Sequence, residues 1–148
     1  MLRIKKRRLG RKYPRRSLWI ERRDAVFTRA GETCEVSGDP LGHYDPVLEG
    51  DPPEEADFSR WKWRRAVDHL FPERWIRRFI PGADPHILEN LYCVSMRIHS
   101  MKTPVERRIY SGDFVGYCTE LRRIGFTQYM IDRALKALNE SAKKGTPK

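Results

Sequence analysis

Near the C-terminal end of the chain, apolar residues recur twice at helical spacing. Phe114, Tyr117, Cys118, Leu121 and Ile124 fall three and four apart, with Ser111 or Asp113 available as a cap before them and Gly125 as a stop after them. Met130, Ile131, Ala134, Leu135 and Leu138 repeat the pattern behind Thr127, which can cap a last helix. Both stripes are most simply core packing. At the other end, Ser17 can open a helix through about Arg29, offering Leu18, Trp19, Ala25 and Val26 for burial, with Gly31 placed to stop it. Residues 60–70 instead mix aromatic, β-branched and basic side chains with partial alternation, which predicts a strand that ends near Pro72. A turn at Pro81 and Gly82 leads to a second apolar stretch, residues 88–95, in which Leu91, Cys93 and Val94 extend a hairpin. A helix is expected from about Arg97.

These elements predict an α+β domain over residues 17–142, its last helical pair spanning residues 111–142, and 148 residues are enough for one core without disulfides. Residues 1–16 carry nine basic side chains and no acid, so they are expected to form a disordered, phosphate-grasping arm that includes Arg7 and Arg8. Residues 143–148 are expected to form a short flexible tail. Between the first helix and the first strand, residues 43–59 hold Asp45, Glu49, Asp51, Glu54, Glu55 and Asp57 with no Lys or Arg, an acidic loop in a basic protein. The loop is either a solvated excursion, the favoured reading, or a mask over a basic cleft. Lys and Arg number 30 against 20 acids, a net charge of +10 that makes a polyanion such as nucleic acid the first partner to consider. Cys34, Cys93 and Cys118 are odd in number and widely spaced, which argues against a disulfide framework and for a reducing, cytoplasmic setting. No apolar run approaches the ~20 residues of a membrane span, so membrane association is not expected.

The chemistry-bearing residues are Asp68 and His69 at a strand end, Asn90 after a hairpin-length excursion, and His99 at a helix start, nine positions beyond Asn90. Their order and spacing resemble the HNH nuclease motif, and residues 67–72 resemble that family's strand-end segment. The resemblance covers roughly residues 18–108. It implies a ββα-metal hairpin and helix, here with flanking helices at both ends, assembled around one divalent cation, Mg²⁺ or Mn²⁺ first, Zn²⁺ or Ni²⁺ next. By the resemblance Asp68 is a metal ligand and His99 a second one. Asn90 either holds the loop and orients His69 or completes the coordination. An imidazole with an ordinary pKa near 6.5 suits proton removal from water at neutral pH, which makes His69 the candidate general base. Adjacent strand residues point to opposite faces, so Asp68 and His69 can take different roles.

Lys102, three residues beyond His99, shares its helix face and is expected to meet a phosphate beside the cut, with Arg97, Arg107 and Arg108 extending that surface. His43 and His86 lack such context and are expected at the surface. Many HNH domains hold a structural zinc with two pairs of cysteines. The corresponding positions here are Cys34, Ser37, Ser95 and Ile98, so three of four thiolates are missing and no structural zinc is expected. Ordinary packing by Trp61, Trp63, Trp75 and the two C-terminal helices would then carry the scaffold. The leading expectation is a metal-dependent endonuclease acting on double-stranded DNA, in a phage-like context by resemblance. The alternatives are a non-catalytic nucleic-acid-binding protein on the same scaffold and an RNA-directed nuclease, and composition does not separate DNA from RNA.

Overall fold

The computed structural model describes residues 16–41 and 65–144. The basic arm with Arg7 and Arg8, the acidic segment 43–59, His43, Trp61, Trp63 and residues 145–148 lie outside the described residues. Helix α1 (Arg16–Ala30) is followed by strand β1 (Arg65–His69), helix α2 (Glu73–Phe79), a 3-10 turn (Leu88–Asn90), strand β2 (Leu91–Ser95) and helices α3 (Met96–Tyr110), α4 (Phe114–Ile124) and α5 (Gln128–Lys144). The fold class is α+β, with five α-helices and one two-stranded antiparallel sheet among the described residues. No helix among them is long and apolar enough to cross a membrane.

The hairpin pairs Asp68 with Tyr92 and His69 with Leu91. All of β2 is buried, because α1 and α3 both pack against it, whereas β1 keeps partly exposed positions. Ser95 is both the last residue of β2 and the N-cap of α3, its fully buried hydroxyl accepting the Ile98 N–H at 3.2 Å. No linker residue separates strand from helix, so the first turn of α3 is fixed relative to the sheet. At the far ends, Asp113 accepts the Gly116 N–H at 2.8 Å and Thr127 the Met130 N–H at 3.1 Å, the capping that the apolar stripes of α4 and α5 predict. Gly125, at φ 135°, closes α4 in a conformation that L side chains rarely adopt.

Two segments depart from the sequence reading. Residues 88–90, expected in the strand, form the 3-10 turn instead, and the excursion after β1 contains α2, which that reading had not anticipated. Pro72 stands at the N-cap of α2 with φ −63°, and its carbonyl accepts the Ile76 N–H at 3.0 Å. Trp75 of α2 joins Phe71, Phe114 and Tyr117 in an aromatic cluster, its ring 5.2 Å from Phe71 and 5.8 Å from Phe114. Trp75 therefore does serve the packing assigned to it.

The turn at Cys34 to Leu41 is fastened by hydrogen bonds. Glu35 donates its N–H to the Cys93 carbonyl and accepts the Cys93 N–H on Oε1, both at 2.8 Å. Arg29 of α1 grips both carboxylate oxygens of Glu35, at 2.7 and 2.8 Å, and donates to the carbonyls of Leu88 and Leu91. Cys34, Cys93 and Cys118 are all buried free thiols.

Candidate functional site

Asp68 is the buried position of β1, 8% exposed, and faces the first turn of α3. There its Oδ2 meets Nδ1 of His99 at 3.1 Å, across 31 residues of sequence. Its other oxygen, Oδ1, faces the ammonium of Lys102 at 3.5 Å, and that ammonium also donates to Glu106 at 2.6 Å. Burial pushes the Asp68 carboxyl up, but the hydrogen bond from His99 and the charges of Lys102, His99 and His69 outweigh it, so the group sits below the usual carboxylate range. The same hydrogen bond holds His99 above the ordinary imidazole value, against partial burial. Asp68 and His99 share a hydrogen bond at this spacing, and their carboxylate oxygen and imidazole nitrogen are the donors here that would hold a divalent cation if His99 gave up its proton. Among the described residues no group of three or more His, Cys, Asp or Glu is arranged to hold a metal. A cation here would therefore have two protein ligands and keep its other positions for water and substrate oxygens.

Lys102 corrects an expectation. It shares the His99 side of α3 as its spacing predicts, but that side packs inward, and the side chain is fully buried with its ammonium held between two carboxylates. It cannot meet a phosphate at the surface; its charge adds to the His99 hydrogen bond in keeping Asp68 ionised. Arg97 pairs with Asp39 at 2.8 Å, and Arg108 with Asp113 at 3.2 Å and Glu120 at 3.7 Å, while Arg107 is exposed.

His69 turns away from α3. Its ring stacks on Trp19 of α1, centroids 6.1 Å apart and planes 8° apart, and its Nε2 lies 2.9 Å from Nδ1 of His86. His86, expected at the surface, is 4% exposed. Its backbone N–H donates to Asp84, which is paired with Arg22 at 2.9 Å, and Arg22 also donates to the His86 carbonyl. Burial, then the charge of His86, lowers the His69 pKa to about 4; burial also lowers that of His86, against the raising charges of Glu73 and Asp84. The two imidazoles thus have opposite tendencies, His69 held neutral by burial and His99 favoured in its protonated form by Asp68.

Between pH 6.5 and about 4 the unfolded chain takes up a proton on His69 that the folded chain refuses, and the lowered pKa of His86 acts in the same direction. Stability therefore falls as pH drops through this window, by about 3 kcal/mol from His69. His99 opposes part of the loss, since its raised pKa contributes stability that is fully present below 6.5 and lost as pH rises through the folded value. Urea midpoints in chelator should be lower near pH 4.5 than near pH 7; an equal or higher acid midpoint would contradict the assignment of two neutral buried imidazoles.

Asn90 is fully buried, and both ends of its amide are engaged by backbone. Oδ1 accepts the Phe71 N–H at 2.9 Å, and Nδ2 donates to the carbonyls of Phe71 at 3.0 Å and Pro85 at 2.9 Å. Its own carbonyl accepts the Leu70 N–H at 2.8 Å. Of the two roles left open for this residue, this is the geometry of holding the loop: Asn90 pins the exit of β1, and with it the position of His69.

Asp68, His69 and His99 border a cleft of about 500 Å³ whose other wall comes from α2 and the end of α3. Arg74 and Arg77 of α2 line it, and the Arg74 guanidinium lies 5.0 Å from the ring centre of Tyr110. Neither cation is among the expected site residues, because both lie on the unexpected helix α2; Pro72 followed by Glu73, with Arg77 four residues on, is the signal for it in the sequence. Comparison of the chain with protein-family models, with curated proteins and with solved structures gave no match.

Proposed function

We propose that this chain is a metal-dependent endonuclease of the HNH type that hydrolyses phosphodiester bonds in DNA. The observation that carries the reading is the meeting of Asp68 and His99, 3.1 Å apart on two different elements, at the edge of a cleft that also holds the neutral imidazole of His69. A divalent cation on Asp68 and His99, when bound, supplies positive charge to the phosphate and to the departing 3′-oxygen. Lys102 helps to keep Asp68 in the ionised form that such a ligand needs. His69 is neutral at physiological pH, with a lone pair free to accept the proton of the attacking water. Burial takes its pKa to about 4 rather than the ordinary 6.5 expected for it, which makes it a weaker base than an exposed imidazole. Arg74 and Arg77 hold the phosphate backbone along the cleft, and the net charge of +10 favours the polyanion overall.

The test is incubation of the full chain with supercoiled plasmid in Mg²⁺, Mn²⁺, Zn²⁺ or Ni²⁺ and in chelator, with an RNA of similar length alongside. Nicking that needs the cation is the expected result. Binding without cutting in any of these ions would overturn it and leave the non-catalytic nucleic-acid-binding reading. Cleavage confined to RNA would move the activity to that substrate.

A further inference from the structure

His86 is buried, near neither Asp68 nor His99 in the chain, and has no part in the hydrolysis as set out above. Its two nitrogens face different partners. Nδ1 lies 2.9 Å from Nε2 of His69, whereas Nε2 is buried without a hydrogen bond, its nearest ionic partner being Glu73 Oε1 at 3.9 Å. Glu73 is itself steadied by Arg77 on its other oxygen.

An imidazole–imidazole hydrogen bond needs one donor and one acceptor, so two arrangements compete when both rings are neutral. In one, His86 donates from Nδ1, which leaves a bare lone pair on its buried Nε2 pointing toward a carboxylate. In the other, His86 carries its proton on Nε2, directed at Glu73, and accepts on Nδ1 from the Nε2–H of His69. Like charge density disfavours the first and opposite charge density favours the second in a site shielded from water. Trp19 restrains both rings, stacked on His69 and edge-on to His86 at 5.7 Å, so neither turns freely to escape the choice.

We propose that Glu73 and His86 are positioning residues that fix the tautomer of His69, with the proton on Nε2 and the free lone pair on Nδ1, so that Nδ1 is the nitrogen that serves as the base. The inference rests on reading His69 as the group that deprotonates water. In that step the water O–H bond breaks, its proton goes to Nδ1 and the oxygen electron pair attacks phosphorus. The P–O3′ bond then breaks and the leaving oxygen is protonated from solvent. The proton already on Nε2 stays there, and the imidazolium so formed is stabilised through His86 by the Glu73 carboxylate. The logic is that of a carboxylate and histidine orienting a base, lengthened by one ring.

The test reads the tautomer directly, without relying on activity. The full chain labelled with ¹⁵N-histidine is examined in chelator near neutral pH by long-range ¹H–¹⁵N correlation. His69 should show a protonated Nε2 and a pyridine-type Nδ1. His86→Asn, whose amide oxygen stands where Nδ1 stood, should keep that pattern, while His86→Leu and Glu73→Gln should give a mixture of tautomers. In plasmid nicking, His86→Leu should lower kcat about 10-fold or more with KM unchanged, and His86→Asn should retain most of the rate. A His69 protonated on Nδ1 in the parent, or a tautomer unmoved by both Glu73→Gln and His86→Leu, overturns the proposal. The expected tautomers without nicking in any cation would support the proton arrangement and count against the nuclease reading.

Discussion

Replacing His69 with Ala should reduce cation-dependent plasmid nicking by about 10²–10⁴-fold, the contribution expected of a positioned general base. The loss should fall on kcat, because the proposed phosphate contacts, Arg74 and Arg77, and the proposed cation ligands, Asp68 and His99, are all kept by the substitution. The imidazole also fills space against Trp19 and His86, so the variant needs a check of its fold by circular dichroism and of its DNA affinity at fixed salt. Affinity within a few-fold of the parent, together with the loss of rate, is the expected pair of results. A folded His69→Ala protein that nicks within about threefold of the parent would remove His69 from the chemistry.

The largest effect on stability should come from Lys102→Met. The new side chain is apolar and of similar length, so little cavity is created, but Asp68 loses the ammonium at 3.5 Å while remaining 8% exposed. Removing one partner from a buried ion pair strands the other charge, which typically costs about 3–5 kcal/mol. His99 still pairs with Asp68, so the lower end, about 3 kcal/mol, is expected here. The parent Asp68 has a depressed pKa, so its stabilisation is present above the unfolded carboxylate value and lost as pH falls through the folded one. The deficit of the variant should accordingly be full at neutral pH and narrow only below the ordinary carboxylate value of 3.8, as pH falls through the folded one and Asp68 protonates. Urea unfolding at neutral pH and below that value measures both quantities. A Lys102→Met protein as stable as the parent at neutral pH would mean that the buried ammonium is not what holds Asp68 charged.

The residues that meet at the site were legible wherever local spacing decides the outcome. Asp68 and His69 lie on opposite faces because strand side chains alternate, and His99 falls in the first turn of α3 because Ser95 caps that helix. The caps at Asp113 and Thr127 were legible for the same local reason. What sequence did not disclose depends on contacts between distant segments. Lys102 was placed on the correct side of α3, yet nothing in a period of three or four says whether that side meets solvent or packs inward. His86 is buried by Trp19, from a helix far earlier in the chain, and by the His69 ring. Helix α2 escaped notice because three of its seven residues are arginines, which mask a short apolar face made by Trp75, Ile76 and Phe79.

The seamless passage from β2 into α3 constrains how this chain can vary in length. A residue gained or lost within either strand would slip the pairing by one position and turn Asp68 to the far face of the ribbon, away from His99. The same change between Ser95 and His99 would rotate the imidazole by ~100° around the helix axis. Length changes are absorbed most readily between α2 and the 3-10 turn, around Pro81 and Gly82, where the chain is in turn conformation. Even there, insertions must leave Asp84, Pro85 and His86 seated. Rulers of fixed length, one in each strand and one in the first turn of the helix, thus set the gap between the two candidate ligands, while the stretch joining them is freer to grow.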